Sequence, residues 1–162
     1  TAYQNATLAD QTLISGRPGY MGNWLRLADR WYKSFGRLTE AVREGRAVED
    51  VNFMDDPEYR DLFVKGMIDY SRYRGKDILN HLDLSRCTRL LDIGCGPAVY
   101  AVMFCEAYPE LTCVCLDLPH AIEIAKDYVS ESRVADRITL TAADYRKMAR
   151  FDGPCDVIFL NI

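Results

Sequence analysis

From Cys87 onward, short apolar runs alternate with segments of helical periodicity, and this alternation constrains the fold more than any other feature of the chain. Runs at 88–93, 111–116, 137–141 and 155–161 read as strands. The segments 98–107 and 119–131 read as helices, the second with Pro119 near its first turn and Ile122, Ala125 and Val129 on one face. Strands separated by helices pair in parallel through crossovers, so the expected architecture is an α/β fold: an open doubly wound sheet with four strands.

Ahead of the sheet the pattern is helical. Trp24, Leu27, Ala28, Trp31, Phe35 and Leu38 step by three or four, which predicts one amphipathic helix over 22–44, stopped by Gly45. A second helix is expected over 57–81, starting at Pro57 and weakened by Gly66 and Gly75. Residues 1–20 carry two turn signals, Ser15-Gly16 and Pro18-Gly19. The chain opens without methionine at Thr1 and closes inside the strand-like run Asp156 to Ile162, which predicts an incomplete piece of a longer protein.

The 162 residues carry a net charge of −4, and the densest basic cluster is only Arg72, Arg74 and Lys76, so nucleic acid is not an expected partner. No stretch approaches the roughly 18 apolar residues of a membrane span. Six cysteines without a secretory signal read as reduced thiols in a cytoplasm, and no C-x-x-C pair or neighbouring histidines suggest zinc.

The chemistry concentrates after the first strand. Leu90-Leu91-Asp92-Ile93 leads into Gly94-Cys95-Gly96-Pro97-Ala98 and then an apolar helix, which makes a turn where backbone can approach a ligand closely. The nicotinamide-cofactor spacing calls for a third glycine where Val99 stands, and Pro97 removes an amide, so a dinucleotide is disfavoured. Asp92, just before the glycines, discourages a pyrophosphate and suits a positive or polar group. The second strand ends at Leu116-Asp117-Leu118-Pro119, where an acid can accept both hydroxyl hydrogens of a ribose. The third ends at Ala143-Asp144-Tyr145, a carboxylate with an aromatic neighbour, suited to an adenine amino group and one ring face. Asp92, Asp117 and Asp144 are thus expected along the one edge where open α/β sheets bind ligands; singly, each also reads as a helix cap or turn residue.

With these residues in view, the chain resembles the S-adenosylmethionine-dependent O-methyltransferases that carry an N-terminal winged-helix dimerisation domain, the group of plant phenolic and bacterial polyketide-tailoring enzymes. Leu90 to Ala98 resembles the first cofactor motif, Asp117-Leu118-Pro119-His120 the Asp-Leu-Pro turn, and Asp144 the adenine-side acid. The family often has glycine where Ala98 and Cys95 stand. The resemblance implies a Rossmann-like class I methyltransferase sheet at 82–162, a helical connector and cofactor roof at 21–81, and the tail of the winged domain at 1–20. It implies S-adenosyl-L-methionine held by Asp92, Gly94, Gly96, Asp117, Leu118, Asp144, Tyr145, Ser71 and Asn161, the last at a position where relatives often have lysine. Phe63, Met67 and Tyr70 would face a small-molecule acceptor, although the same stripe read from the residues alone is more often a core face.

The implied reaction is methyl transfer to a hydroxyl of an aromatic or polyketide-like molecule, in a cytoplasmic homodimer. In most relatives a histidine shortly after the fourth strand is the general base, a point this sequence does not reach. His81 and His120 read as helix-end residues instead, so no catalytic residue is assigned. The alternatives are a methyltransferase-like protein that binds the cofactor for hydroxylation or decarboxylation, or a non-catalytic association fragment.

Overall fold

The computed structural model describes residues 3–48, 55–151 and 153–161. Thr1, where the chain opens, and Ile162, the last residue of the strand-like run, lie outside the described residues. The chain divides into two compact units, Thr1–Tyr70 and Ser71–Ile162.

The first unit contains α1 (Thr7–Thr12), α2 (Gly22–Gly36), α3 (Leu38–Glu44) and most of α4 (Pro57–His81). The single helix expected over 22–44 is two helices, because α2 ends at Gly36 and Arg37 departs to φ −97°, ψ 7° before the chain turns helical again. Glycine is a poor helix former, and Arg37 then pairs with Glu40 across the first turn of α3. Gly45 ends α3 in the left-handed conformation at φ 65°. Gly66 does not break α4. Leu27, fully buried on α2, packs against it, and a Cβ there would come within 2.9 Å of the Leu27 side chain. Trp24 stacks on Tyr70 with centroids 4.5 Å apart, and the Trp31 indole N–H donates to the Tyr59 hydroxyl at 2.9 Å. The first amides of α2 have no local cap, and the buried Asp69 carboxylate of α4 accepts the Asn23 amide at 2.9 Å instead.

The second unit is a parallel sheet of β1 (Arg89–Ile93), β2 (Thr112–Asp117), β3 (Ile138–Ala142) and β4 (Val157–Leu160), in the order β3-β2-β1-β4. The connecting helices are α5 (Val99–Ala107) and α6 (Pro119–Ser130). The winding runs outward from β1 through β2 to β3 and then returns to place β4 on the other side of β1. The order therefore reverses at β1, the position where open α/β sheets take their ligands.

One sheet face carries the main core. Leu90, Cys113, Cys115 and Ile138 pack with Ala101, Phe104 and Cys105 of α5 and Ile122, Ala125 and Val129 of α6. Six of the nine residues of α5 are buried, which is why its sequence is apolar all round rather than striped. Phe104 meets Phe159 of β4 edge to face at 5.1 Å, so the helix after β1 also anchors the strand across the reversal point. Gly75 lies where a Cβ would press on the Met103 thioether of α5.

Candidate functional site

Register fixes which residues share the carboxyl edge of the sheet. Ile93 pairs with Leu116 and with Leu160, and Asp117 pairs with Ala142. Gly94, Asp117, Ala143 and Asn161 consequently emerge at one rim, with Asp144 and Tyr145 two and three residues beyond β3. Asn161 is exposed directly after β4.

The turn after β1 is built by glycine geometry. Gly94 and Gly96 stand at φ 74° and 52°, in the left-handed region that L side chains avoid, and a Cβ added at either would meet nothing within 4 Å. The space beside the turn is therefore open, and the conformation, not neighbouring atoms, demands glycine. Ala98 is also left-handed, at φ 58°, while wholly buried. That conformation is the local reason why glycine is at home at this position, and alanine bears its strain where α5 begins.

Backbone and side chains of β2 hold the turn in place. The Gly94 amide donates to the Leu116 carbonyl at 2.8 Å, and the Gly96 amide donates to Asp117 Oδ2 at 2.8 Å. Asp117 Oδ1 accepts the Leu118 amide at 2.7 Å, just ahead of α6. An ionised carboxylate offers about four lone-pair positions. With these two donors engaged, about two remain, enough for a pair of adjacent hydroxyls.

Asp92 departs from the expected arrangement. It lies one residue inside the rim, paired in register with Cys115 and Phe159, and is only 2% exposed. Burial pushes its carboxyl up to about 7, the Asp117 charge adding to the effect. Its Oδ2 has no hydrogen-bond partner, a cost normally met only where something else will supply a donor. Asp117 and Asp144 thus form the rim, and Asp92 forms the floor beneath Gly94.

At the third strand, Asp144 is held from one side. Arg146 donates Nε to Oδ1 at 2.8 Å and Nη2 to Oδ2 at 3.0 Å, and its amide donates to Oδ1 at 3.1 Å. These contacts hold the Asp144 carboxyl down to about 2, the Arg146 guanidinium being the main cause. Tyr145 beside it is exposed.

The remaining predicted residues lie on α4. Ser71 is buried in the second unit, while Phe63, Met67 and Tyr70 are half-buried in the first. Within that unit Phe63 lies beside Tyr59 and Tyr70 stacks on Trp24. His81 ends α4 with Nδ1 2.8 Å from the Asp77 carbonyl oxygen, and His120 is exposed in the first turn of α6. A hollow of about 250 Å³ on the sheet face away from α5 is lined by Leu91, Val114, Leu116, Met148 and Phe151. Among the described residues that line it there is no carboxylate, and Asp92, Asp117 and Asp144 are not among them. Among the described residues no group of histidine, cysteine and acid side chains could hold a metal ion, and no helix is long and apolar enough to cross a membrane.

Sequence reasoning missed the Arg146 fork and the role of Arg137. The Arg137 guanidinium donates to the carbonyls of Cys105, Tyr108, Pro109 and Leu111, closing the end of α5 and the turn into β2. Only the two-residue spacing of Asp144 and Arg146 was a signal in the sequence; nothing local marks Arg137.

Known proteins bear on this arrangement. Residues 32–161 match the O-methyltransferase domain family. The chain is 28% identical over 150 residues to 3-hydroxy-5-methyl-1-naphthoate 3-O-methyltransferase of Streptomyces sahachiroi, covering 88% of this chain and 43% of that protein. It is 31% identical over 159 residues to acetylserotonin O-methyltransferase of Bos taurus, covering 91% of this chain and 46% of that one. The crystal structure of human N-acetylserotonin methyltransferase in complex with SAM superposes with a TM-score of 0.82 at 24% identity, over 98% of this chain and 48% of that one. The chain thus spans about half the length of these relatives.

Proposed function

The chain belongs to the O-methyltransferase domain family, and on that premise we propose that the complete protein transfers a methyl group from S-adenosyl-L-methionine to a hydroxyl of an aromatic or polyketide-like small molecule. The observation that carries this reading is the Asp117 carboxylate at the end of β2, beside the strand where the order reverses, fixed by the Gly96 and Leu118 amides with about two lone pairs left for a ribose diol.

The residues present fit the cofactor. Gly94 and Gly96 leave open space beside their backbone, and the orphaned Asp92 Oδ2 below them suits an ammonium or another donor-bearing group. Asp144 and the exposed Tyr145 suit an adenine amino group and ring face. Leu118, Ser71 and Asn161 complete the proposed contacts. A rim of carboxylates disfavours phosphates, which agrees with a ligand carrying hydroxyls, an amine and a sulfonium. When bound, the cofactor supplies an activated methyl group. The task left to the chain's own residues is to hold the nucleoside in one pose, so that an acceptor oxygen can approach in line.

Phe63, Met67 and Tyr70 are proposed as acceptor-facing side chains on the family resemblance, and the acceptor class rests on relatives named for naphthoate and acetylserotonin. By the same resemblance residues 1–20 are the tail of a winged-helix dimerisation domain, 21–81 a connector and roof, and 82–162 the cofactor-binding domain. The six free thiols support a reducing cytoplasm, and the exposed Tyr32, Phe35, Leu38 and Val42 of the first unit support association as a homodimer. The test is incubation of the complete protein with methyl-labelled cofactor and a panel of naphthols, hydroxyindoles and polyketide phenols. Label on an acceptor oxygen is expected; cofactor binding without transfer to any acceptor would overturn the reaction while leaving the site.

A further inference from the structure

We infer that Arg146 is a positioning residue for the cofactor's adenine: its guanidinium fork fixes the plane of the Asp144 carboxylate and leaves one lone pair, on Oδ2, for the 6-amino group. This inference rests on the reading of Asp144 as the adenine-side acid.

The two carboxylate oxygens of Asp144 differ in how many acceptor positions are filled. Oδ1 takes two donors, the Arg146 amide at 3.1 Å and Nε at 2.8 Å, which fills its lone pairs. Oδ2 takes one, Nη2 at 3.0 Å. Lys147 Nζ lies 3.6 Å from Oδ2, beyond hydrogen-bond reach, and contributes attraction without occupying a direction. One acceptor direction therefore remains on a carboxylate that is 14% exposed and otherwise held.

The geometry also decides between aid and competition. A free aspartate on an exposed turn must lose its rotamer freedom on binding, whereas a planar, bidentate guanidinium removes that freedom beforehand. Arginine does this and lysine does not, because the ammonium is a point charge that leaves the carboxylate free to rotate. The guanidinium also holds the Asp144 carboxyl down to about 2, so above that pH the group is a pure acceptor.

The test is calorimetric binding of two probes to the purified chain: S-adenosylhomocysteine and its purine analogue lacking the 6-amino group. Arg146→Ala is expected to weaken S-adenosylhomocysteine binding about two- to tenfold, to leave binding of the deamino analogue unchanged, and to be rescued poorly by Arg146→Lys. A purely structural role would weaken both probes alike. Equal or tighter binding of S-adenosylhomocysteine by Arg146→Ala would overturn the inference, showing the arginine to be absent from the pose or a competitor. Asp144→Ala, which removes every acceptor at this position, separates the two levels: if it leaves S-adenosylhomocysteine binding intact, the adenine-side assignment itself fails, and the inference with it.

Discussion

The Asp117 carboxylate reaches from the last residue of β2 to the Gly96 amide, 2.8 Å away, and so ties the end of β2 to the turn after β1. The same group caps Leu118, at the threshold of α6. One side chain thereby sets the shape of the glycine turn and is the acceptor proposed for the ribose.

Asp117→Ala is expected to do two things. It removes two hydrogen bonds to a charged acceptor, each worth about 1.5–3 kcal/mol at most, and so lowers the unfolding midpoint. It also abolishes binding of S-adenosylhomocysteine. Asp117→Asn retains a carbonyl oxygen for one amide and should recover much of the stability but not the affinity. Undiminished binding by the alanine variant, measured calorimetrically, would remove the ribose assignment.

Gly96→Ala isolates backbone geometry. The position has φ 52° and open space around an added Cβ, so the fold bears only the left-handed penalty, about 1–2 kcal/mol. The methyl group projects into the space kept clear beside the turn. A modest fall in the denaturant midpoint with a much larger fall in S-adenosylhomocysteine affinity is expected, and equal losses in both would make the glycine purely structural.

Asp92 predicts a pH dependence of stability. Its folded-state value, about 7, lies above the usual 3.8, so the folded protein holds a proton that the unfolded chain releases. Stability from this group is full below about pH 4 and is lost as pH rises through 7, by roughly 4 kcal/mol at the outside. Chemical denaturation of wild type and Asp92→Asn at pH 4.5 and 8 checks the sign: the wild type should lose more stability than the variant over that interval.

Cysteine accessibility supplies an independent check on the core. Cys95, Cys105, Cys113 and Cys115 are buried, with the sulfurs of Cys105 and Cys113 3.4 Å apart, while Cys87 and Cys155 are partly exposed. A thiol-titrating disulfide reagent should react with those two in the native protein and with the other four only on unfolding. Rapid reaction of all six would contradict the packing of α5 on β2.

Arg137→Ala should leave the C-terminal carbonyls of α5 without their shared donor and lower stability by about 1–3 kcal/mol. Affinity for S-adenosylhomocysteine at low temperature should be retained, because Arg137 serves the far end of α5 from the glycine turn.

The parallel sheet was legible because strand and helix periods alternate cleanly after Cys87, and each predicted strand lies within a residue or two of the observed one. The long helix over 57–81 was equally clear, since Pro57 marks its start. The break at Arg37 was not, because the apolar stripe of Trp24 to Leu38 continues in register across it and periodicity carries no record of one non-helical residue. At the site, Asp117 and the glycines could be placed from spacing, but the burial of Asp92 could not: its depth depends on Cys115 and Phe159, strands away in sequence. The same holds for Asp69, which caps α2 from 46 residues away.

The central claim is that the strand-end cradle of Gly94, Gly96 and Asp117 binds the S-adenosyl cofactor, and a thermal melt with and without saturating S-adenosylhomocysteine tests it most directly. At about one hundred times its dissociation constant, a ligand bound only by the native state adds roughly 2.7 kcal/mol. The account predicts a cooperative transition whose midpoint rises by several degrees with the ligand and does not rise in Asp117→Ala. A cooperative transition that stays in place for the wild type would contradict it and leave Asp92, Asp117 and Asp144 as structural residues.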